Sequence, residues 1–305
     1  MLCENLYGQN VLLDQSVEVY ASVLLDSKAD LPARFRALFS LRNINTDAAV
    51  TIIAAAFKTT ESALLKHELA YCLGQMRLES AVDCLRCVLA DQSEDPMVRH
   101  EAGEALGAIG DRDSLPLLKH HFMHDPNVSV RETCEIAIDN IENNRQIGCP
   151  CQFPGDIQFG SVDPAPAMDL FLSVDELGVV LLDRKLPMFK RYQAMFSLRN
   201  RASDEAVLML CRGLEDPSAL FRHEVAYVLG QLQNPLAIDR LHARLMIPSE
   251  AGMVRHECAE ALGSIADDRC MAILRGYLDD PEPVVRESCQ VALDICAFER
   301  SNELH

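Results

Sequence analysis

The sequence predicts an all-α protein built from stacked helical hairpins, and three observations predict it. Long stretches recur at offsets of 157 and 156 residues: Phe35-Arg-Ala-Leu-Phe-Ser-Leu-Arg-Asn43 matches Tyr192-Gln-Ala-Met-Phe-Ser-Leu-Arg-Asn200, and Val98-Arg-His-Glu-Ala-Gly-Glu-Ala-Leu-Gly107 matches Val254-Arg-His-Glu-Cys-Ala-Glu-Ala-Leu-Gly263. A shorter period lies inside each half, since His67 and His100 are 33 residues apart, as are His223 and His256. No segment alternates as a strand does, while Ala, Leu and Glu fill the interiors and favour helix. A unit in the low thirties is one helical hairpin, which cannot bury its apolar face alone and therefore stacks on copies of itself. About eight such repeats are expected, in two pseudo-symmetric half-solenoids that face each other across a cleft.

Local signals place the helices. Asp-Pro stands at 95–96, 125–126, 216–217 and 280–281, each time before an apolar-periodic stretch. Asp is a good N-cap and Pro suits the first turn, so all four are expected to open helices. Gly74 and Gly110 fall near the ends of such stretches. Between the halves, Asn143–Met168 holds four Pro and three Gly and cannot continue a helix. The expected division is a first half over 1–147, a connector over 148–167 and a second half over 168–305. The connector is longer than an ordinary turn, which marks it as a linker or a functional loop.

Composition narrows the function. Of 305 residues, 49% are apolar, enough for a sizeable core. No apolar run reaches the roughly 18 residues of a membrane helix, and Met1-Leu2-Cys3-Glu4-Asn5 has no basic flank of a signal peptide. A cytosolic location is expected, with the nucleus as an additional one, and no membrane partner. With 28 basic against 46 acidic side chains the net charge is −18, which argues against nucleic acid and suits a cationic partner. Twelve Cys are present, but Cys84-x-x-Cys87 and Cys149-x-Cys151 are too far apart for a zinc ribbon. Cys72, Cys134, Cys258 and Cys289 sit in apolar helical patterns and are expected to be reduced, buried, small hydrophobes.

The chemistry lies in the histidines. Four of the nine stand directly before Glu: His67-Glu68, His100-Glu101, His223-Glu224 and His256-Glu257. Each follows a basic residue, namely Lys66, Arg99, Arg222 or Arg255. Neighbours on a helix point about 100° apart, so a doublet offers an imidazole and a carboxylate side by side. Helices of stacked repeats lie roughly 8–10 Å apart, within reach of two long side chains meeting on one ion. Three residues on stand Ala70, Gly103, Ala226 and Ala259, and seven on stand Gly74, Gly107, Gly230 and Gly263. Small residues there leave room beside the imidazole or let helices approach closely. Four residues on, Tyr71, Glu104, Tyr227 and Glu260 are candidates to orient the ligands. Four His and four Glu suit two metal ions, and a nitrogen–oxygen ligand set points to iron or manganese ahead of structural zinc. The bland alternative, a surface His-Glu pair copied by duplication, does not explain why the outer repeats carry Phe35-Arg36 and Glu132-Thr133 instead. His120, His121 and His124 read as a solvated helix end, and no phosphate loop or nucleophile elbow is present.

The segments Lys66-His-Glu-Leu-Ala-Tyr-Cys-Leu-Gly-Gln75 and Arg222-His-Glu-Val-Ala-Tyr-Val-Leu-Gly-Gln231, with the two Val-Arg-His-Glu segments, resemble the deoxyhypusine hydroxylase family. The resemblance spans essentially the whole chain. It implies HEAT-like repeats in two halves with a non-haem di-iron centre between them, and monooxygenase chemistry. Two iron ions and molecular oxygen would hydroxylate the deoxyhypusine side chain of a translation factor, completing hypusine. Carried over by motif, His67, His100 and Glu101 would hold one iron, and His223, His256 and Glu257 the other. Glu68 and Glu224 would ligate metal or meet the substrate amine, and Met253 would line the pocket. A monomer is expected. Two alternatives remain at this point: a non-catalytic HEAT scaffold that binds a protein, and a repeat enzyme akin to bilin lyases.

Overall fold

The structure, a computed structural model, describes residues 16–143, 159–168 and 171–302. These hold sixteen α-helices and no strand. In the first half they are α1 (16–24), α2 (Leu31–Ile44), α3 (Asp47–Ala56), α4 (Ala63–Met76), α5 (Val82–Ala90), α6 (Pro96–Ile109), α7 (Leu115–His124) and α8 (Val128–Asn143). In the second half they are α9 (Val174–Leu182), α10 (Met188–Arg201), α11 (Asp204–Gly213), α12 (Ala219–Leu232), α13 (Ile238–Leu245), α14 (Gly252–Ile265), α15 (Asp268–Arg275) and α16 (Pro283–Asn302). They fall into consecutive pairs. The longer, even-numbered helices stack on one another, α4 on α6 on α8 and α12 on α14 on α16.

The two half-solenoids do more than face each other. α8 packs on α10 and α12, and α16 packs on α2 and α4, so the eight inner helices close into a ring. The seams mirror each other. Ser218 Oγ donates to Glu132 Oε2 at 2.7 Å across one seam, and Ser62 Oγ donates to Glu287 Oε2 at 2.6 Å across the other. Arg36 pairs with Asp294 across the second seam. Thus Arg36 and Glu132, from the two dipeptides that replace a doublet in the outer repeats, join the halves.

Of the four Asp-Pro pairs, only Asp95-Pro96 opens its helix as expected, with Asp95 Oδ1 accepting from Met97 N–H at 2.8 Å. The other three are corrected. Asn127 caps α8, accepting from Ser129 N–H at 2.9 Å, and Ser218 caps α12, accepting from Phe221 N–H at 3.1 Å. Asp125, Asp216 and Asp280 instead receive Arg99, Arg191 and Arg255. A guanidinium below about a tenth exposure demands a charged acceptor more strongly than an exposed helix end demands a cap.

Small residues set the spacing of the ring. A methyl added to Gly74 would sit 2.8 Å from Ala105 Cα, one on Gly107 2.8 Å from Ala137 Cβ, and one on Gly263 2.8 Å from Ala292 Cβ. The glycines seven residues beyond each His therefore serve close helix approach rather than space beside the ring. All nine described cysteines are free, and Cys72, Cys134, Cys258 and Cys289 are buried in the core as expected. Cys149 and Cys151 lie outside the described residues, as does the connector before residue 159. Among the described residues no helix is long and apolar enough to cross a membrane.

Gly107→Ala is expected to lower stability by about 1–3 kcal/mol through overpacking against Ala137. In an ordinary helix interior the same change would add up to about 1 kcal/mol. Chemical denaturation at matched metal content measures the sign, and stabilisation would refute the close-approach account.

Candidate metal centre

The basic residue before each doublet fixes where the doublet points. Lys66 Nζ meets Glu94 Oε2 at 2.7 Å, Arg99 meets Asp125 at 2.6 Å, Arg222 meets Glu250 at 2.5 Å and Arg255 meets Asp280 at 2.6 Å. Each acid lies in the turn before the next inner helix. Because neighbouring helix residues diverge by about 100°, pinning the cation outward turns the following His and Glu to the ring axis. His121 belongs to this device: it is buried, and its Nδ1 lies 2.8 Å from Asp125 Oδ2. The reading of His120, His121 and His124 as a solvated helix end is corrected for His121; His120 and His124 are exposed.

All four doublets converge, and all eight residues are buried. The His67 ring lies 5.3 Å from His100, 5.7 Å from His223 and 5.1 Å from His256, and His223 lies 5.3 Å from His256. In the second half three donor atoms form a near-equilateral triangle: His223 Nε2 to His256 Nε2 is 3.3 Å, His223 Nε2 to Glu257 Oε2 3.4 Å, and His256 Nε2 to Glu257 Oε2 3.6 Å. A point equidistant from three atoms so spaced lies about 2.0 Å from each, the length of a metal bond to imidazole or carboxylate. In the first half His67 Nε2 lies 3.2 Å from Glu101 Oε2. Donor atoms of His100, Glu101 and Glu104 also converge, and so do those of His67, His100 and His223 across the halves.

The polar bookkeeping fits a metal. His67 Nε2, both nitrogens of His100, and Nδ1 of His223 and His256 are buried without a hydrogen-bond partner. Buried polar atoms are nearly always paired, so five bare imidazole nitrogens mark a cluster short of partners; His67 Nε2 and one nitrogen of His100 are open to a metal, while in the second half the converging atoms are the Nε2 atoms of His223 and His256. Burial, then the neighbouring imidazoles, hold the pKa of His100 and His256 well below the usual range, keeping them neutral as ligands must be. Burial also opposes charge on His67, yet Glu101 and Glu68 outweigh it and raise that pKa.

Beside the cluster lies a cavity of about 270 Å³. Its walls carry Glu68, Glu101, Glu104, Glu224, Glu257 and Glu260, with no Lys or Arg among the lining residues. Burial, then mutual repulsion, raises the pKa of Glu104, Glu224 and Glu260 well above the carboxylate range. Of the residues expected to orient ligands, Glu260 Oε1 lies 3.6 Å from His256 Nδ1. Tyr71 and Tyr227 instead share a 3.0 Å hydrogen bond across the halves. Met253 lines a separate depression with Met97, Glu61 and Glu287.

Sequence reasoning missed Gln75, Gln231, Arg199 and Asp163. Gln75 and Gln231 bind residues 161–162, and Arg199 binds Asp163 at 2.5 Å, placing part of the connector on the cavity. The recurrence of Gly-Gln at 74–75 and 230–231, and of Arg-Asn at 42–43 and 199–200, was the available signal.

Comparison with known proteins bears on these features. Residues 55–139 match the HEAT repeats, and residues 254–280 match the PBS lyase HEAT-like repeat. Deoxyhypusine hydroxylase of Danio rerio is 52% identical over 291 residues, covering 95% of this chain and 94% of the relative. The Homo sapiens protein of that name is 51% identical over 289 residues, with the same shares covered. The solved structure of human deoxyhypusine hydroxylase in complex with glycerol superposes with a TM-score of 0.90 at 50% identity, covering 95% of this chain and 99% of that one.

Stability of the metal-free protein follows from these shifts. Glu104, Glu224, Glu260 and His67 have raised pKa values in the folded state, so their contributions are full at low pH and are lost as pH rises through those values. His100 and His256, with depressed values, change little above about pH 7. The metal-free thermal midpoint should therefore fall as pH rises above about 7, and metal should flatten that slope. A metal-free midpoint that rises over this range would contradict the assignment.

Proposed function

As this chain belongs to the deoxyhypusine hydroxylase family, an oxidative hydroxylase family acting on a protein, we propose that it is a di-iron monooxygenase that hydroxylates the deoxyhypusine side chain of a translation factor. One observation carries the reading: four imidazoles with unpaired nitrogens stand beside a cavity walled by six carboxylates and no Lys or Arg. A catalyst built for a long cationic amine needs that juxtaposition of ligands and negative charge; a passive scaffold does not.

His67, His100 and Glu101 would hold one iron, and His223, His256 and Glu257 the other. When bound, the iron pair supplies the activation of molecular oxygen. The chain's own residues do the rest. The Lys66, Arg99, Arg222 and Arg255 ion pairs keep the ligands aimed inward. His100 and His256 are fully buried, so water has no access to these two imidazoles. Glu68 and Glu224, which the triads leave over, line the cavity; they would hold the substrate ammonium and so fix which carbon of the side chain is presented for hydroxylation. The Tyr71–Tyr227 bond ties the two halves over the cavity. We further read the enzyme as a cytosolic monomer, with the nucleus as an additional location, that takes no nucleic acid.

Two experiments test this. The reduced, iron-loaded chain, given oxygen and the deoxyhypusine-bearing factor, should add the mass of one oxygen atom to that factor; an unchanged intact mass would overturn the assignment. Glu68→Gln and Glu224→Gln should keep iron at about two per chain while raising KM about tenfold or more, the loss of one charged hydrogen bond. Loss of iron in either variant would instead make that glutamate a ligand.

A further inference from the structure

The pseudo-twofold relation of the halves is broken at the cavity mouth. Residues 160–167 lie across it as a strap at the C-terminal ends of the inner helices. Gln75, on α4, grips both backbone groups of Val162: Oε1 accepts from Val162 N–H at 2.7 Å, and Nε2 donates to Val162 O at 3.1 Å. Arg199, on α10, grips Asp163 with contacts of 2.7 and 2.5 Å, and Gln231 Nε2, on α12, donates to Ser161 Oγ at 2.9 Å. Val162 and Pro164 thereby become cavity wall. The counterpart of Arg199 in the first half is Arg42, which bonds the Asn43 side chain at 3.0 Å and stacks 5.1 Å over Phe39.

The strap covers the sector of the ring between α4 and α12. Across the remaining sector, from α14 through α16 to α2, no described segment lies. Ser264, Ile295 and Phe39 line the cavity there and are each partly exposed, whereas Ala108, the counterpart of Ser264, is buried. One turn inward from Ser264 stands Glu260, whose Oε1 is buried without a hydrogen-bond partner. The sector therefore presents two apolar side chains at its edge and an unsatisfied carboxylate behind them. That order matches a side chain with a methylene stem and a cationic end.

We propose that the substrate side chain enters through this open sector, past Phe39, Ser264 and Ile295, and that Glu260 is the first carboxylate to receive its ammonium. The strap closes the pseudo-symmetric route, so the amine reaches the two metals from one side only. This rests on the hydroxylase reading above.

The test measures binding of a labelled deoxyhypusine peptide to the full, iron-loaded chain. Ser264→Arg should weaken binding about tenfold or more, since a like charge stands in the path. Ser264→Glu should bind at least as tightly as the parent, and its agreement in sign keeps the test open if the arginine variant folds poorly. Met123→Arg puts the same charge on an exposed position of the outer helix α7, outside the cavity lining, and should stay within about twofold. Glu260→Gln should weaken binding several-fold with iron content unchanged. Equal weakening by Ser264→Arg and Met123→Arg, or no effect of Ser264→Arg and Ser264→Glu, overturns the proposal. A parent chain that binds the peptide but adds no oxygen overturns the hydroxylase reading, while the Ser264 variants still decide the entry route; a parent that binds no peptide overturns both.

Discussion

Four imidazoles and four carboxylates are buried together at the axis of a closed ring, with two more carboxylates, Glu104 and Glu260, half-buried beside them and no Lys or Arg among the residues that line the adjoining cavity. Desolvation and like-charge repulsion both oppose that assembly, each by several kcal/mol per uncompensated ion. The scaffold has to force it. Glycine-on-alanine contacts between inner helices shorten the distance between doublets. Outward ion pairs, from Lys66–Glu94 round to Arg255–Asp280, turn the doublets inward. Mirror-image Ser–Glu bonds at 62–287 and 218–132 close the ring so that the ligands cannot separate. What would relieve the charge is a cation, and the proposed function supplies two kinds: metal ions among the imidazoles and an ammonium among the remaining carboxylates.

This arrangement explains why a generic repeat can host a demanding reaction. A helical solenoid ordinarily offers an extended concave surface. Here two short solenoids meet at both ends, and the concave surfaces become the walls of one chamber. The duplicated halves then supply matched ligand sets without further invention, and asymmetry is added by the strap at 160–167. Its hold on Gln75, Arg199 and Gln231 makes the chamber one-sided.

Much of this was legible in the sequence for identifiable reasons. The 33-residue spacing of the histidines gave the hairpin period, and the doublets' confinement to the inner repeats singled out the site, because packing repeats along the whole chain whereas chemistry does not. Three of the four Asp-Pro pairs misled, since a carboxylate before a helix can cap it or receive a buried guanidinium, and only the fold decides. His121 was misread for the same reason: its partner Asp125 is shared with Arg99 from a neighbouring repeat. Ring closure and the strap depend on contacts between residues as far apart as Ser62 and Glu287, which no local pattern encodes.

The central claim is that each half holds one metal with its own pair of histidines and one glutamate. Anomalous diffraction at the iron edge, from crystals of the iron-loaded protein, tests it most directly. The account predicts two iron peaks, one among His67, His100 and Glu101 and one among His223, His256 and Glu257. A single peak shared by His67, His100 and His223, whose donor atoms also converge, would contradict it.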